Sequence, residues 1–204
     1  VRSQQDVFRN VVNGVSSVYR LDFLVNNAGL IDFSSRISED SLDVVLQTNH
    51  FGPFLLTNLL LEKIVKSKPS RIVILSSYVH NWGFLNINDL GEVNNRISLF
   101  KYPNSKLCNV LWMKALAKRL PSGVTVNAVH PGFVNTGLYE RFPYYIKKFI
   151  LFLTSLMFKD SLQGAQTSIH VCVSPELVDV TGRYFKDCKQ YKYRKLCDDE
   201  EYVE

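Results

Sequence analysis

The sequence predicts an α/β fold built on a parallel sheet, and three observations carry that expectation. Helix-like segments alternate with short β-rich runs, no internal repeat breaks the alternation, and Arg71–Ser77 (RIVILSS) is almost continuously apolar. Alternation of this kind is what a parallel sheet with crossover helices demands. A strand apolar on both faces is one that helices cover on both sides.

The elements follow in order. Gln5–Val18 reads as a mildly amphipathic helix, and Leu21–Asn26 (LDFLVN) as a short strand ending in Asn-Asn-Ala-Gly. Ser38 is suited to cap the next helix, with Glu39 and Asp40 favourable in its first turn; helical pattern resumes through Asn49 to about Lys66. Pro69 closes it, and the strand Arg71–Ser77 comes next. Residues 78–101 show no period and are rich in Asn and Gly, so they read as a long loop. Tyr102–Leu120 is a strong helix, with Pro103 tolerated in a first turn where no amide proton is needed. Val124–Val129 is a third strand that runs into His130-Pro131-Gly132. Tyr144–Phe158 and Asp160–Val173 read as helices, Gly182–Phe185 as a last strand, and the acidic Asp198–Glu204 as a solvated tail.

Composition narrows the function classes. At 204 residues there is room for one domain, and 46% hydrophobic against 21% charged residues describes a full core, which excludes disorder and fibrous repeats. The net charge of +5 is scattered apart from short clusters at Lys147-Lys148 and near Lys189–Lys195, whereas a nucleic-acid surface wants a concentrated stripe. No nucleic-acid partner is expected. Cys108, Cys172, Cys188 and Cys197 contain no C-x-x-C pair, so neither a zinc site nor a disulfide framework is indicated, and reduced thiols place the chain on a cytosolic face. His50, His80, His130 and His170 have no metal spacing, and no metal is expected. The longest apolar run, Phe149–Phe158, is about half of the roughly 20 residues that a spanning helix requires.

Three strands end in polar or Gly/Pro-containing turns: Asn26–Gly29, Ser76-Ser77 and His130–Gly132. In open α/β sheets the ligand crevice lies beyond the carboxyl ends of the strands, so these turns should line one site. Tyr102-Pro103-Asn104-Ser105-Lys106 opens the helix that follows, and a four-residue separation sets phenol and ammonium on one helical face. A phenol ordinarily ionises near pH 10, and a nearby cation favours its phenolate and brings it toward the working range of a proton donor and acceptor. Ser77, at a strand end, is suited to hold a substrate oxygen against that phenol. Taken alone, Tyr-x-x-x-Lys is most often a plain solvated pair, Asn49 a polar helix residue, and Asn26-Asn27 a turn. Their succession along the chain is the specific signal.

That succession, Asn26-Asn27-Ala28-Gly29, Asn49, Ser77, Tyr102-x-x-x-Lys106 and Pro131-Gly132, resembles the short-chain dehydrogenase/reductases. Closer likeness is to their retinol dehydrogenase group, through Thr48-Asn49-His50-Phe51-Gly52, Ser70-Arg71-Ile72-Val73, Val124–Gly132 and Gly164-Ala165-Gln166-Thr167-Ser168. The resemblance implies a Rossmann-like, doubly wound parallel sheet and an oxidoreductase that interconverts a hydrophobic alcohol and its aldehyde or ketone, retinoids first. It implies Tyr102 as general acid/base, Lys106 lowering its pKa and binding the nicotinamide ribose, Ser77 orienting the substrate oxygen, and Asn49 holding a water in a proton relay. Asn26, Asn27, Ala28 and Gly29 would support the cofactor's adenosine side, and Pro131, Gly132 and Thr136 its nicotinamide end. The subgroup implies NADP(H) rather than NAD(H), and an association with the endoplasmic reticulum membrane.

The family's Gly-x-x-x-Gly-x-Gly turn, which receives the pyrophosphate at a helix N-terminus, does not occur among these 204 residues. The expectation is an N-terminally truncated domain over residues 1–190, a charged tail over 191–204, and negligible oxidoreductase activity for the chain as written. The competing expectation is a non-catalytic paralogue that acts as an interaction module, dimerising through the apolar stripe of Leu107–Leu120, a stripe that is otherwise core. Tyr144–Phe158, whose apolar residues follow Lys147-Lys148, reads as a lid on the substrate pocket or as a helix lying on a membrane surface.

Overall fold

In the computed structural model, which describes residues 13–15, 17–34, 36–85, 98–134 and 159–203, five strands pair in sequence order. β1 (Phe23–Asn26), β2 (Ser70–Leu75), β3 (Val124–His130) and β4 (Tyr184–Lys186) run parallel, and β5 (Lys189–Tyr191) returns antiparallel to β4. β2 and β3 form the centre, in register from Ser70↔Val124 to Leu75↔Val129. Successive side chains of a strand face opposite ways, which divides the core into two layers. Ile72, Ile74, Val126, Ala128 and Tyr184 pack with one set of helices, and Val73, Leu75, Val129 and Phe185 with the other. This is the α/β sheet with both faces covered that the continuous apolar run of β2 predicted.

The first described crossover is a single helical run in three parts: α1 (Val44–Leu46), a π-helical turn over Gln47–Phe51, and α2 (Gly52–Lys66). Its cap corrects the sequence reading. Asp43 Oδ1 accepts from the amides of Val45 at 2.9 Å and Leu46 at 3.2 Å. Ser38 instead accepts from Leu42 N inside a turn closed by the Ile37↔Asp43 bridge, so Glu39 and Asp40 precede the helix. At the other end the run stops at Ser67, close to where the pattern and Pro69 ended it.

α3 (Ser98–Arg119) begins four residues before Tyr102, inside the expected loop, and Pro103 therefore sits in the helix interior. The carbonyl deprived of its helical partner by Pro103 is that of Leu99, four residues earlier, a residue exposed to water. A 3-10 turn, Tyr78–Trp82, also replaces the start of that loop. The apolar stripe of α3, including Leu107, Val110, Leu111, Trp112, Met113 and Leu116, is buried in this chain's own core.

α4 (Ser161–Val173) starts with a full capping box, in which Asp160 accepts from Gln163 N and the Gln163 side chain accepts from Asp160 N. The hairpin from β4 to β5 turns on Asp187 and Cys188, both at positive φ (51° and 59°). The acidic side chains of Asp199, Glu200 and Glu201 are exposed, but the segment is no free tail. A 3-10 turn (Lys195–Asp198) and α5 (Glu200–Val203) bury Cys197 and Val203 and pack Tyr202 against the core. Most of the helix expected over Gln5–Val18, all of that over Tyr144–Phe158, and Thr136 lie outside the described residues. Among the described residues no helix is long and apolar enough to cross a membrane.

Candidate active site

The carboxyl ends of β1, β2 and β3 lie on one edge of the sheet, and the turns that leave them line one cleft of about 1210 Å³. Asn27, Ala28 and Gly29 come from the first turn, Ser76 and Ser77 from the second, and Pro131 and Gly132 from the third. The helices close it from two sides, α3 through Tyr102 and Lys106, and α4 through Gly164 and Ser168. Gly164 lets α4 come close, since a Cβ there would stand 2.5 Å from Val134 Cγ2.

Tyr102 and Lys106 meet as the helical spacing predicts: the Lys106 Nζ lies 5.6 Å from the centre of the Tyr102 ring. Lys106 is buried, and burial pushes its amine down to about 8. One of its three donors goes to the Leu75 carbonyl at 3.1 Å, the last residue of β2. The backbone of α3 is fixed at the same level, because Ser76 Oγ donates to the Lys106 carbonyl at 2.8 Å. Opposite the amine stands Gly29. A Cβ on Gly29 would lie 3.4 Å from both Lys106 Nζ and Asn49 Oδ1, so its absence keeps a hollow open before a cation that has donors to spare. A ligand carrying hydroxyl groups suits that hollow.

Asn49 sits behind the cleft, in the π-helical turn, and is buried. Its Oδ1 accepts from Leu30 N at 2.8 Å, and its Nδ2 donates to the Leu30 carbonyl at 2.9 Å and to Ser105 Oγ at 3.0 Å. π-turns recur at functional sites because one extra residue re-aims a side chain. Here the turn lets one amide bind the loop after β1 and the helix α3 together. Asn109 adds a second tie, donating to the carbonyls of Asn49 and Leu75 at 3.0 Å each.

Ser77 is half-buried, in extended backbone, at the N-terminus of the 3-10 turn. Its carbonyl accepts from His80 N at 3.0 Å and lies 2.7 Å from His80 Nδ1, which makes Nδ1 the protonated nitrogen of that ring. Burial, despite that bond, holds the His80 imidazole below its ordinary value. His130, at the end of β3, is held down to about 4, by burial first and then by the Lys186 charge. Both rings are therefore neutral at pH 7.

Of the residues singled out from the sequence, Asn27, Ala28, Gly29, Ser77, Tyr102, Lys106, Pro131 and Gly132 line the cleft together. Asn26 does not line it, since its side chain donates to Thr57 Oγ1 at 2.9 Å inside the fold. Asn49 stands behind the cleft, bonded to Leu30 and Ser105. Ser76, expected at the site as part of its turn, lines the cleft and ties α3 to it, whereas sequence reasoning missed Ser105 and Asn109, whose bonds hold these groups in place, and the wall supplied by α4. The signal for the first two was present as polar residues four apart, Ser105 and Asn109, on a helix otherwise read for its apolar stripe.

Residues 1–143 match the short chain dehydrogenase family. Among curated proteins, retinol dehydrogenase 14 of Homo sapiens is 43% identical over 174 residues, which cover 84% of this chain and 52% of that protein. Retinol dehydrogenase 12 of Mus musculus is 41% identical over 172 residues, covering 84% and 54%. The chain thus spans about half the length of the curated relatives it matches. Among solved structures, a short chain dehydrogenase from Salmonella enterica serovar Typhi superposes with a TM-score of 0.66 at 22% identity, over 93% of this chain and 71% of that one. An oxidoreductase, yciK, from E. coli gives the same TM-score at 21% identity, over 93% and 70%.

Proposed function

The chain belongs to the short-chain dehydrogenase family, and we propose that its site interconverts an apolar alcohol and the corresponding aldehyde or ketone, with Tyr102 as the general acid/base. The observation that carries this reading is the Tyr102–Lys106 pair, a phenol beside a buried amine in the wall of the cleft. In the oxidising direction the Tyr102 phenolate takes the proton of the substrate hydroxyl, and in the reducing direction the phenol returns it to the carbonyl oxygen. Lys106 favours the phenolate by its charge. Ser77 Oγ donates to the same substrate oxygen and fixes it at the phenol, which is an orientation effect.

The family implies a nicotinamide dinucleotide, which when bound supplies or accepts the hydride. The residues fit its nicotinamide end: the hollow that Gly29 leaves open before Lys106 suits a ribose, with Asn27, Ala28, Pro131 and Gly132 beside it. Asn49 takes the relay role expected of it through the second lone pair of its oxygens, because its amide hydrogens are engaged by Leu30 and Ser105 and each oxygen already accepts one bond, from Leu30 N and from Asn109. NADP(H) in preference to NAD(H), a retinoid as the first substrate to try, and a place on the cytosolic face of the endoplasmic reticulum membrane rest on the likeness to the retinol dehydrogenases. Turnover of all-trans-retinal with each reduced dinucleotide, and fractionation of cells expressing the full-length protein, test these points.

The mechanism is tested by Tyr102→Phe in the full-length protein. Turnover should fall by about 10²–10⁴-fold, with the far-ultraviolet spectrum and melting temperature of the parent. Undiminished turnover refutes the acid/base assignment.

A further inference from the structure

Lys101 directly precedes Tyr102, is buried to 2% exposure, and places its Nζ 2.8 Å from Oδ2 of Asp43, itself 6% exposed. Asp43 uses its other oxygen to cap α1. The pair therefore joins the start of the helical run that carries Asn49 to the turn of α3 that carries the phenol. It is also the first rung of a ladder. Lys101, Ser105 and Asn109 stand at i, i+4 and i+8, on one stripe of α3. They bind, in order, the Asp43 carboxylate, the Asn49 side chain, and the Asn49 carbonyl, with Asn109 Oδ1 also 3.0 Å from His50 Nδ1. Tyr102 and Lys106 form the adjacent stripe, each one residue beyond a rung.

Burying two charges is costly, and apolar replacements of a buried pair are often neutral or stabilising. The pair's use is then better sought in register than in stability. One residue of a helix is 100° of rotation, so the three rungs together set the angle at which α3 presents the phenol. The lower two rungs act near Lys106 and below it. Lys101–Asp43 is the rung at the level of Tyr102.

We propose that Lys101 and Asp43 are positioning residues for the reaction, acting through the orientation of Tyr102 in the cleft. This rests on the acid/base reading of Tyr102 given above.

The test is the double substitution Asp43→Asn/Lys101→Met in the full-length protein, which keeps a capping oxygen and leaves no unpaired buried charge. The expected result is a protein that melts near the parent's temperature, with kcat per folded molecule lowered about 10–100-fold and KM for alcohol and dinucleotide within about twofold of the parent. Asp43→Asn/Lys101→Gln, which also leaves no unpaired buried charge and keeps a polar group at both positions, is read in parallel so that a folding defect in the first double variant leaves the same comparison available. Parental kcat in a folded variant overturns the proposal, as does a loss confined to KM or to melting temperature. Tyr102→Phe run beside them separates the two claims. If it is inactive while the pair variants are unimpaired, only the positioning role falls; if it is fully active, the acid/base reading falls first.

Discussion

The side chain of Asn49 grips the backbone of Leu30 at both of its polar groups, accepting from its amide at 2.8 Å and donating to its carbonyl at 2.9 Å. A side-chain amide here stands in for a neighbouring strand. It satisfies a loop that leaves β1 and passes Gly29, and it holds that loop at a fixed distance from Lys106.

Replacing Asn49 by Ala leaves both backbone groups of Leu30, and the Ser105 hydroxyl, without these partners. Loss of a buried hydrogen-bond partner costs about 1–3 kcal/mol. The midpoint of urea unfolding should fall accordingly, and turnover of the full-length protein should fall beyond what the loss of folded protein explains. An unfolding midpoint equal to the parent's contradicts this.

Lys106 makes stability depend on alkaline pH. Its amine titrates at about 8 in the fold, against an ordinary value of 10.5, with burial as the cause. Between those values the unfolded chain binds the proton that the folded chain has released, so stability rises with pH across that window. Below it, the cost of the buried charge is present in full. Urea titrations at a series of pH values from 7.5 upward should show the rise in the parent and a flatter profile in Lys106→Met. Equal slopes in the two proteins rule the assignment out.

His130 acts at the other end of the scale. The folded protein keeps it neutral down to about 4, against an ordinary 6.5, because burial and then the Lys186 charge disfavour the imidazolium. The unfolded chain takes up that proton first, so stability falls as the pH drops through this interval, by on the order of 3 kcal/mol in all. His130→Asn should lessen the acid sensitivity measured by melting temperature between pH 6.5 and 4. An unchanged acid profile removes His130 as its source.

Gly83 marks a close approach of the 3-10 turn to α3. A Cβ at this position would stand 2.9 Å from both the Pro103 carbonyl and Leu107 Cβ, one of them rigid backbone. Gly83→Ala should therefore destabilise the fold by about 1–3 kcal/mol, as overpacking does, and thermal melting measures it. A variant that melts with the parent shows that the turn yields.

Much of this was legible in the sequence for physical reasons that act locally. β2 is apolar enough to declare burial on both faces, and the polar turns that end β1, β2 and β3 do converge on one cleft. Other features depend on contacts far along the chain. Ser38 and Asp43 are both good capping residues, and Asp43 is the one whose second oxygen meets Lys101, 58 positions later. Pro103 looks like the first turn of a helix, yet α3 starts earlier, and the carbonyl that Pro103 leaves without a helical partner belongs to the exposed Leu99. β5 went unseen because Lys189–Tyr191 has no alternating pattern. Its hairpin turn uses Asp-Cys at two positive-φ positions where Asn-Gly is the usual marker.

The packing of residues 193–203 has a practical side. Arg194 Nη1 donates to the Gly83 carbonyl, Lys114 pairs with Asp198 at 2.9 Å, and Val203 is buried. A protease cut near Lys192 would thus loosen the brace behind Gly83 and α3.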